Sequence, residues 1–484
     1  MPINFIPNDP LAALPMRVVK PRPNRAAGVA GLRFPKPQPE GEHAPGTPEF
    51  LFWQSREAAL LTIDVWEGLN GSLKNWSTEA SDRKRLTLLP DDGDELNAFY
   101  DRAGLNFFHH KTGTKTTFSG ASTDVVAHET GHALLDTLRP ELFGSNITEH
   151  GAFHESFGDC MAVLVALSDK DTRDTVGDLS KANFVEALME DLSDGVKREL
   201  GAKHPAAAPR HALNKFKFQL PTTLPTSGGP SVLTAEIHSF GRVFTGCFYD
   251  LIVSLSKSSG DVAAAVKTAG KLLIRSAQDA PLSSRFFQSV GRAMVLADQQ
   301  LNAGANRSTI GAAFSGHGIM LGSASILMPH MALAGGAIKM GGKTISAALA
   351  PSTFKDLKKR IDAAPNARFA VNPVNLGGER MMEAVHDRAV SLSSLTKDLK
   401  GVVAFAKESV VLGASGRSAA VFSALPDTSS TEDEVTHFVK TLLDHDRIGF
   451  DAKQKPTPTR PVTHVIKSKG GQKVLTRIRY SCAC

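Results

Sequence analysis

Cysteine is scarce in this chain, with four in 484 residues, at positions 160, 247, 482 and 484. Folds stapled by disulfides carry them far more densely, so no disulfide framework is expected, and Cys160 and Cys247, set in apolar helical patterns, read as buried free thiols. Long apolar runs are missing too. The most apolar late stretch, 326–350, is broken by Pro329, Lys339, Lys343 and two Gly-Gly pairs, which makes it a poor bilayer span. The opening twenty residues hold prolines at 2, 7, 10 and 15 and no apolar core of the length a secretory signal needs. A reducing compartment fits these absences, and a cytoplasmic location is expected, with export by a signal-independent route as the alternative. Tyrosine is rare as well, confined to Tyr100, Tyr249 and Tyr480.

Acidic residues are absent from one segment: residues 452–484 hold eight Lys or Arg and no Asp or Glu, in a chain of net charge +6. Such a segment can meet nucleic acid or acidic lipid, but a solvated basic face is the expectation, and nucleic acid is not expected as a partner. The rest is ordinary for a soluble protein of two or three domains, 42% hydrophobic and 21% charged. Residues 1–48 are rich in proline and basic side chains and read as an extended arm. Beyond Pro48 the run Phe50-Leu51-Phe52-Trp53 and the amphipathic pattern from Ala58 to Leu69 mark the first helix of a folded unit.

The chemistry concentrates between Asp124 and Asp159. His128 and His132 lie four apart in the run Thr123 to Leu138, whose apolar residues and following Pro140 indicate a helix stopped by proline. Four residues is about one helical turn, so the two imidazoles share a face. Placed so, they can hold one Zn2+ at ~2.0–2.1 Å, with Glu129 beside the metal as a base rather than a ligand. A His-Glu-x-x-His string alone is a modest signal. A third ligand comes from a second helical pattern, Glu149 to Leu167, where Glu155 and Asp159 share a face and Phe153, Phe157, Met161 and Val165 are available for the core. Glu155 completes a set of two histidines and a glutamate, with the fourth position left for water. Asp159 is placed to accept the second ring proton of a ligand histidine, His128.

The string from Asp124 to His132, Asp-Val-Val-Ala-His-Glu-x-x-His, followed by Gly151-Ala152-x-x-Glu155-x-x-x-Asp159, resembles the thermolysin-type zinc metallopeptidases, and the Glu-x-Phe-Gly-Asp form of 155–159 resembles the fungalysins. The metzincin extension needs Gly at 135 and His at 138, where this chain has Leu135 and Leu138. The resemblance covers roughly 50–321. It implies zinc on His128, His132 and Glu155, with Glu129 as general base. It also implies that Asn97-Ala98-Phe99 is an edge strand that takes the substrate main chain by strand addition, Asn97 and Ala98 aligning it. Glu236-Ile237-His238-x-x-Gly241 matches the downstream motif that supplies a histidine to the oxyanion, with Glu236 orienting His238. An arginine between 190 and 215 is expected to hold a substrate carbonyl; Arg210 and Arg198 are both candidates, and Arg210 is the choice. Two positions depart from the family. Its catalytic tyrosine, ahead of Gly151, has no counterpart, and Asp124 matches a calcium ligand whose acidic partner falls at Ala166, which leaves calcium doubtful.

Elsewhere, His109 and His110 are adjacent in a strand-like run and point to opposite faces, so at most one could join any given site, and both are left out. Helical patterns lie around 261–279, 282–303 and 379–400. Thr431-x-x-Glu434 reads as a capping box opening a helix from Val435 to Leu443. Val462–Ile466 and Val474–Ile478 flank Lys469-Gly470-Gly471-Gln472 as a hairpin, and Cys482-Ala483-Cys484 reads as a flexible tail. The expected architecture is α+β: a two-lobed, thermolysin-like zinc peptidase domain over 49–321, preceded by the arm, with an additional C-terminal α+β module over 322–484. The expected function is a zinc-dependent endopeptidase cutting internal bonds of a peptide or protein substrate. The alternatives are a catalytically impaired peptidase-fold binding module, which the missing tyrosine suggests, and a zinc exopeptidase, which needs an acidic group for the substrate amine. The 1–48 arm or the 322–484 module is expected to restrain the site by lying over its cleft.

Overall fold

Thr47 ends the proline-rich stretch as a helix cap. Its hydroxyl accepts from the Phe50 amide at 3.2 Å, Pro48 takes the first helical position, and Gly71 closes the far end. The helix Pro48–Asn70 buries Phe50, Ile63 and Trp66. The computed structural model describes residues 1–322, 369–376, 379–412, 419–420, 430–450 and 462–482. Among them helices and sheets mix in an α+β arrangement.

A five-stranded sheet runs in the order Tyr480–Ser481, Ala98–Tyr100, Gly104–Phe107, Arg85–Leu89 and Gly31–Arg33. The first two joints are antiparallel and the last two parallel. Along Arg85–Leu89 burial alternates, with Leu86 and Leu88 inside, as a sheet with one covered face requires. The helix Thr123–Leu138 packs against this sheet and against the helix Thr148–Ser168. The helices Ile237–Ser259, Val262–Asp279, Phe286–Asn302 and Arg307–Gly316 complete the helical side. One apolar core, including Trp66, Tyr100, Phe153, Phe244 and Phe286, joins the two.

The proline-rich arm is laid onto this framework. Ile3–Phe5 pairs with Arg17–Val19, the Gln54 amide brackets the Ile6 backbone at 2.8 and 2.9 Å, and Gly31–Arg33 forms the outer strand of the sheet. The arm therefore lines the fold.

Beyond residue 368 a second sheet runs in the order Phe369–Leu376, Glu379–Ser391, Val402–Leu412, Gln472–Arg477, His464–Lys469 and Ile448–Gly449, with the helix Thr431–Asp444 packed on it. The hairpin around Gly470-Gly471 is present, and both glycines take positive φ at its two-residue turn. Three readings are corrected. The pattern at 379–400 contains the strand Glu379–Ser391; Met381, Met382, Ala384 and Val385 are all buried, and a strand covered on both faces shows no alternation by which to recognise it. The capping box sits one residue earlier, with Ser430 accepting from the Asp433 amide at 3.1 Å and its own amide donating to the Asp433 carboxylate. Cys482 does not belong to a loose tail but is buried. The Gly/Ala-rich stretch 323–350 lies outside the described residues, as do Ala483 and Cys484. No described helix is long and apolar enough to cross a membrane.

Buried ion pairs tie the second sheet and its helix to the helical side. Arg285 joins Glu149, at 2.5 Å, to Glu434, and Arg139 lies 3.3 Å from Glu383. Removing one partner of such a group strands the others without compensation, at a cost of about 3–5 kcal/mol. Arg285→Met is accordingly expected to lower the unfolding free energy read from urea denaturation by that amount, with no change in the residues of the site described next.

Candidate metal centre and cleft

Two glycines let the site helices meet. A Cβ on Gly158 would lie 2.6 Å from the His128 ring, and one on Gly131 would lie 3.0 Å from the Gly158 Cα, so side chains at these positions would push the helices Thr123–Leu138 and Thr148–Ser168 apart. Their crossing brings His128, Glu129 and His132 from the first helix beside Glu155 from the second, all four fully buried. His128 Nε2 lies 3.3 Å from Glu155 Oε2 and His132 Nε2 lies 3.8 Å from Glu155 Oε1. Ligand atoms of His128, Glu129 and His132 fall within 4.8 Å of one another.

Among the described residues, His128 Nε2, His132 Nε2, Glu155 Oε1 and both Glu129 carboxylate oxygens have no hydrogen-bond partner. Buried polar atoms are nearly always satisfied. A convergent set of two imidazole nitrogens and a carboxylate oxygen, left without partners, has the donor chemistry that zinc takes. The residues present thus fit a zinc ion. Burial pushes the Glu129 carboxyl up to about 8, against the opposing charge of His128.

The other ring nitrogens are held from behind. His128 Nδ1 lies 3.0 Å from Asp159 Oδ1, and Thr245 donates to Asp159 Oδ2 at 3.2 Å, so Asp159 stands where its helical spacing placed it. His132 Nδ1 lies 2.8 Å from His154 Nδ1, and Tyr480 stacks on the His154 ring at 3.9 Å and on His132 at 4.9 Å. Sequence reasoning missed both. His154 adjoins Glu155 and is a visible signal, but its partner is set by the helix crossing and not by spacing. Tyr480 comes from the far end of the chain. The other two tyrosines are engaged elsewhere, Tyr100 with Asp136 and Tyr249 with Asn183.

Glu236 caps the helix Ile237–Ser259 by accepting from the His238 and Ser239 amides at 2.9 and 3.0 Å, and its other oxygen lies 2.7 Å from His238 Nδ1. Burial opposes its ionisation, yet the His238 charge and these hydrogen bonds hold Glu236 at about 2. His238 Nε2 faces Glu155 Oε2 at 3.0 Å and the Ser481 carbonyl at 2.7 Å. Arg210 lies 3.1 Å from Asp159 and 3.4 Å from Glu155, and donates to the Cys482 carbonyl at 3.3 Å. Arg198, the other candidate, pairs with Asp194 and donates to Thr117. Asn97 lies 2.7 Å from Ser481 Oγ, and the Ala98 carbonyl accepts from the Cys482 amide at 2.8 Å. The strand edge expected at 97–99 is therefore present but covered. Beside His238 and Arg210 a small cleft opens, with Met189, Leu192, Val196 and Ala206 in its apolar wall. His109 and His110 stand apart from it, paired with Asp91 and Asp94. Asp124 is held by the Asn8 amide at 2.6 Å.

The family model of the fungalysin metallopeptidases (M36) matches residues 101–323. That part of the chain is fungalysin-like. The match takes in the whole donor set, the Glu236–His238 pair and Arg210, and leaves out Asn97, Ala98 and residues 480–482. No curated protein matches the chain. Taken with the His-Glu-His cluster, the match gives the coarse class plainly, a zinc-dependent metallopeptidase acting on peptide or protein chains.

Proposed function

We propose that the fungalysin-like part is an endopeptidase, hydrolysing internal peptide bonds at the centre formed by His128, His132 and Glu155. The observation that carries this reading is the convergence of unpartnered, buried ligand atoms from those three residues, with the Glu129 carboxylate beside them and His238 and Arg210 at the cleft. A zinc ion held there supplies Lewis acidity, polarising the scissile carbonyl and acidifying water. Glu129 takes the proton of the attacking water and passes it to the leaving amine. His238, fixed by Glu236, donates from Nε2 to the oxyanion, and Arg210 donates to a neighbouring substrate carbonyl. Asn97 and the Ala98 carbonyl align an extended main chain. Asp159 keeps His128 in the tautomer that presents Nε2.

Internal cutting is favoured by the way residues 480–482 lie in the cleft. They enter it as a continuous chain past His238, so the cleft admits a polypeptide that continues on the amino side of the site. Short peptides blocked at both ends test the reading, since an exopeptidase leaves them intact. His238→Ala is expected to lower kcat on such a peptide by roughly 10²–10³, the scale of one oxyanion donor, with zinc content unchanged. An effect confined to KM would make His238 a binding residue instead.

A further inference from the structure

The contacts assigned above to a substrate are already made, by this chain. Tyr480–Ser481 adds as an antiparallel strand to Ala98–Tyr100, with Ser481 opposite Phe99. The Cys482 amide donates to the Ala98 carbonyl, Asn97 bonds the Ser481 side chain, His238 Nε2 meets the Ser481 carbonyl, and Arg210 meets the Cys482 carbonyl. The Cys482 thiol lines the apolar pocket against Met189, with the two sulfur atoms 3.1 Å apart. A strand that served only to extend the sheet would need the main-chain ladder alone. Here two successive carbonyls are each directed at a cationic or donor side chain of the site, and the Cys482 side chain lines the pocket against Met189.

We infer that residues 480–482 are a tethered ligand of the cleft, an extended peptide bound as a substrate strand is bound, and that they keep other chains out until displaced. The inhibitory consequence rests on the peptidase reading; the binding does not. The tether is short and well anchored. Arg479 donates to the Val462 carbonyl at 2.9 Å, and Arg477 lies over the Tyr480 ring at 4.3 Å, so the segment faces the cleft from the end of the second sheet. A ligand held on so short a tether acts at an effective concentration in the millimolar range, which a free peptide of ordinary affinity does not outcompete.

The test uses a fluorescein-labelled peptide of sequence Arg-Tyr-Ser-Cys, copied from residues 479–482, and three proteins: the full chain, a chain ending at residue 478, and full-length Cys482→Pro, which loses the amide bonded to Ala98 while keeping Tyr480. Circular dichroism checks the fold of each, and Cys482→Pro carries the test if the shorter chain does not fold. The peptide is expected to bind Cys482→Pro and the shorter chain, and to bind the full chain at least about tenfold more weakly. Hydrolysis of a blocked peptide is expected to rise by a similar factor in both altered chains, through KM. Equal binding to all three proteins, or none to a folded altered chain, overturns the inference. Release of a Cys482-containing fragment from the full chain, seen by mass spectrometry, overturns it too, because the segment would then be a substrate and not a lasting occupant. Binding as expected without hydrolysis in any chain would leave the tethered ligand standing and remove the peptidase reading. Hydrolysis that is equal in all three would do the reverse.

Discussion

Glu129→Gln is expected to leave zinc bound at one ion per chain while lowering kcat on a blocked peptide by roughly 10²–10⁴-fold, the range of a positioned general base. The amide keeps the size of the carboxylate, so the crossing of the two site helices is undisturbed. Both Glu129 oxygens are buried and without a partner among the described residues, which means that no structural hydrogen bond is lost on substitution. What is lost is the capacity to accept a proton from water and return it to the leaving amine. Because ground-state binding does not use Glu129, KM is expected to change little. Near wild-type kcat in this variant would remove Glu129 from the mechanism.

Loss of a ligand acts differently. His132→Ala and Glu155→Ala are each expected to lose zinc on dialysis and with it all measurable hydrolysis, since a catalytic zinc takes three protein ligands and two are too few to hold it. Glu155→Ala should do further harm, because its carboxylate also faces the His238 ring nitrogen and the Arg210 guanidinium. Asp159→Ala, which removes the partner of His128 Nδ1 together with the contacts to Arg210 and Thr245, is expected to weaken zinc affinity by about 10–100-fold. Elemental analysis reads the metal, and thermal unfolding provides a second readout. Zinc at a thousandfold excess over its dissociation constant stabilises the parent by about 4 kcal/mol, and the ligand variants should show no such shift. Unchanged zinc content in both alanine variants would place the metal elsewhere.

The centre itself was largely legible in the sequence because its parts are local. His128 and His132 are fixed by one turn of helix, and Glu155 and Asp159 by another. Only the crossing of the two helices had to be assumed, and Gly131 and Gly158 are its trace. The helix Thr123–Leu138 matches the expected bounds because a proline follows it closely. Legibility failed where long-range pairing decides. In the strand Glu379–Ser391 the successive residues from Met381 to His386 are all buried, so both faces are covered there and no alternation marks a strand. Cys482 and Tyr480 lie more than three hundred residues from the histidines and the edge strand they touch, and nothing in their own neighbourhood announces a place in the cleft. Spacing does not decide between Arg210 and Arg198; what sets Arg210 at the site is the pairing of the short strand Arg210–His211 with Ala187–Leu188.

The central claim, that this chain cuts internal peptide bonds at the centre of His128, His132, Glu155 and Glu129, is tested most directly by one digestion. Zinc-loaded Cys482→Pro, in which the cleft is expected to be open, is incubated with a library of end-blocked peptides, alongside the same protein carrying Glu129→Gln, and the products are read by mass spectrometry. The account predicts internal cleavages in the first protein, abolished by a chelator and restored by zinc, and none above background in the second. Internal cleavages of equal yield in both proteins, or intact peptides in both with zinc bound, would contradict it.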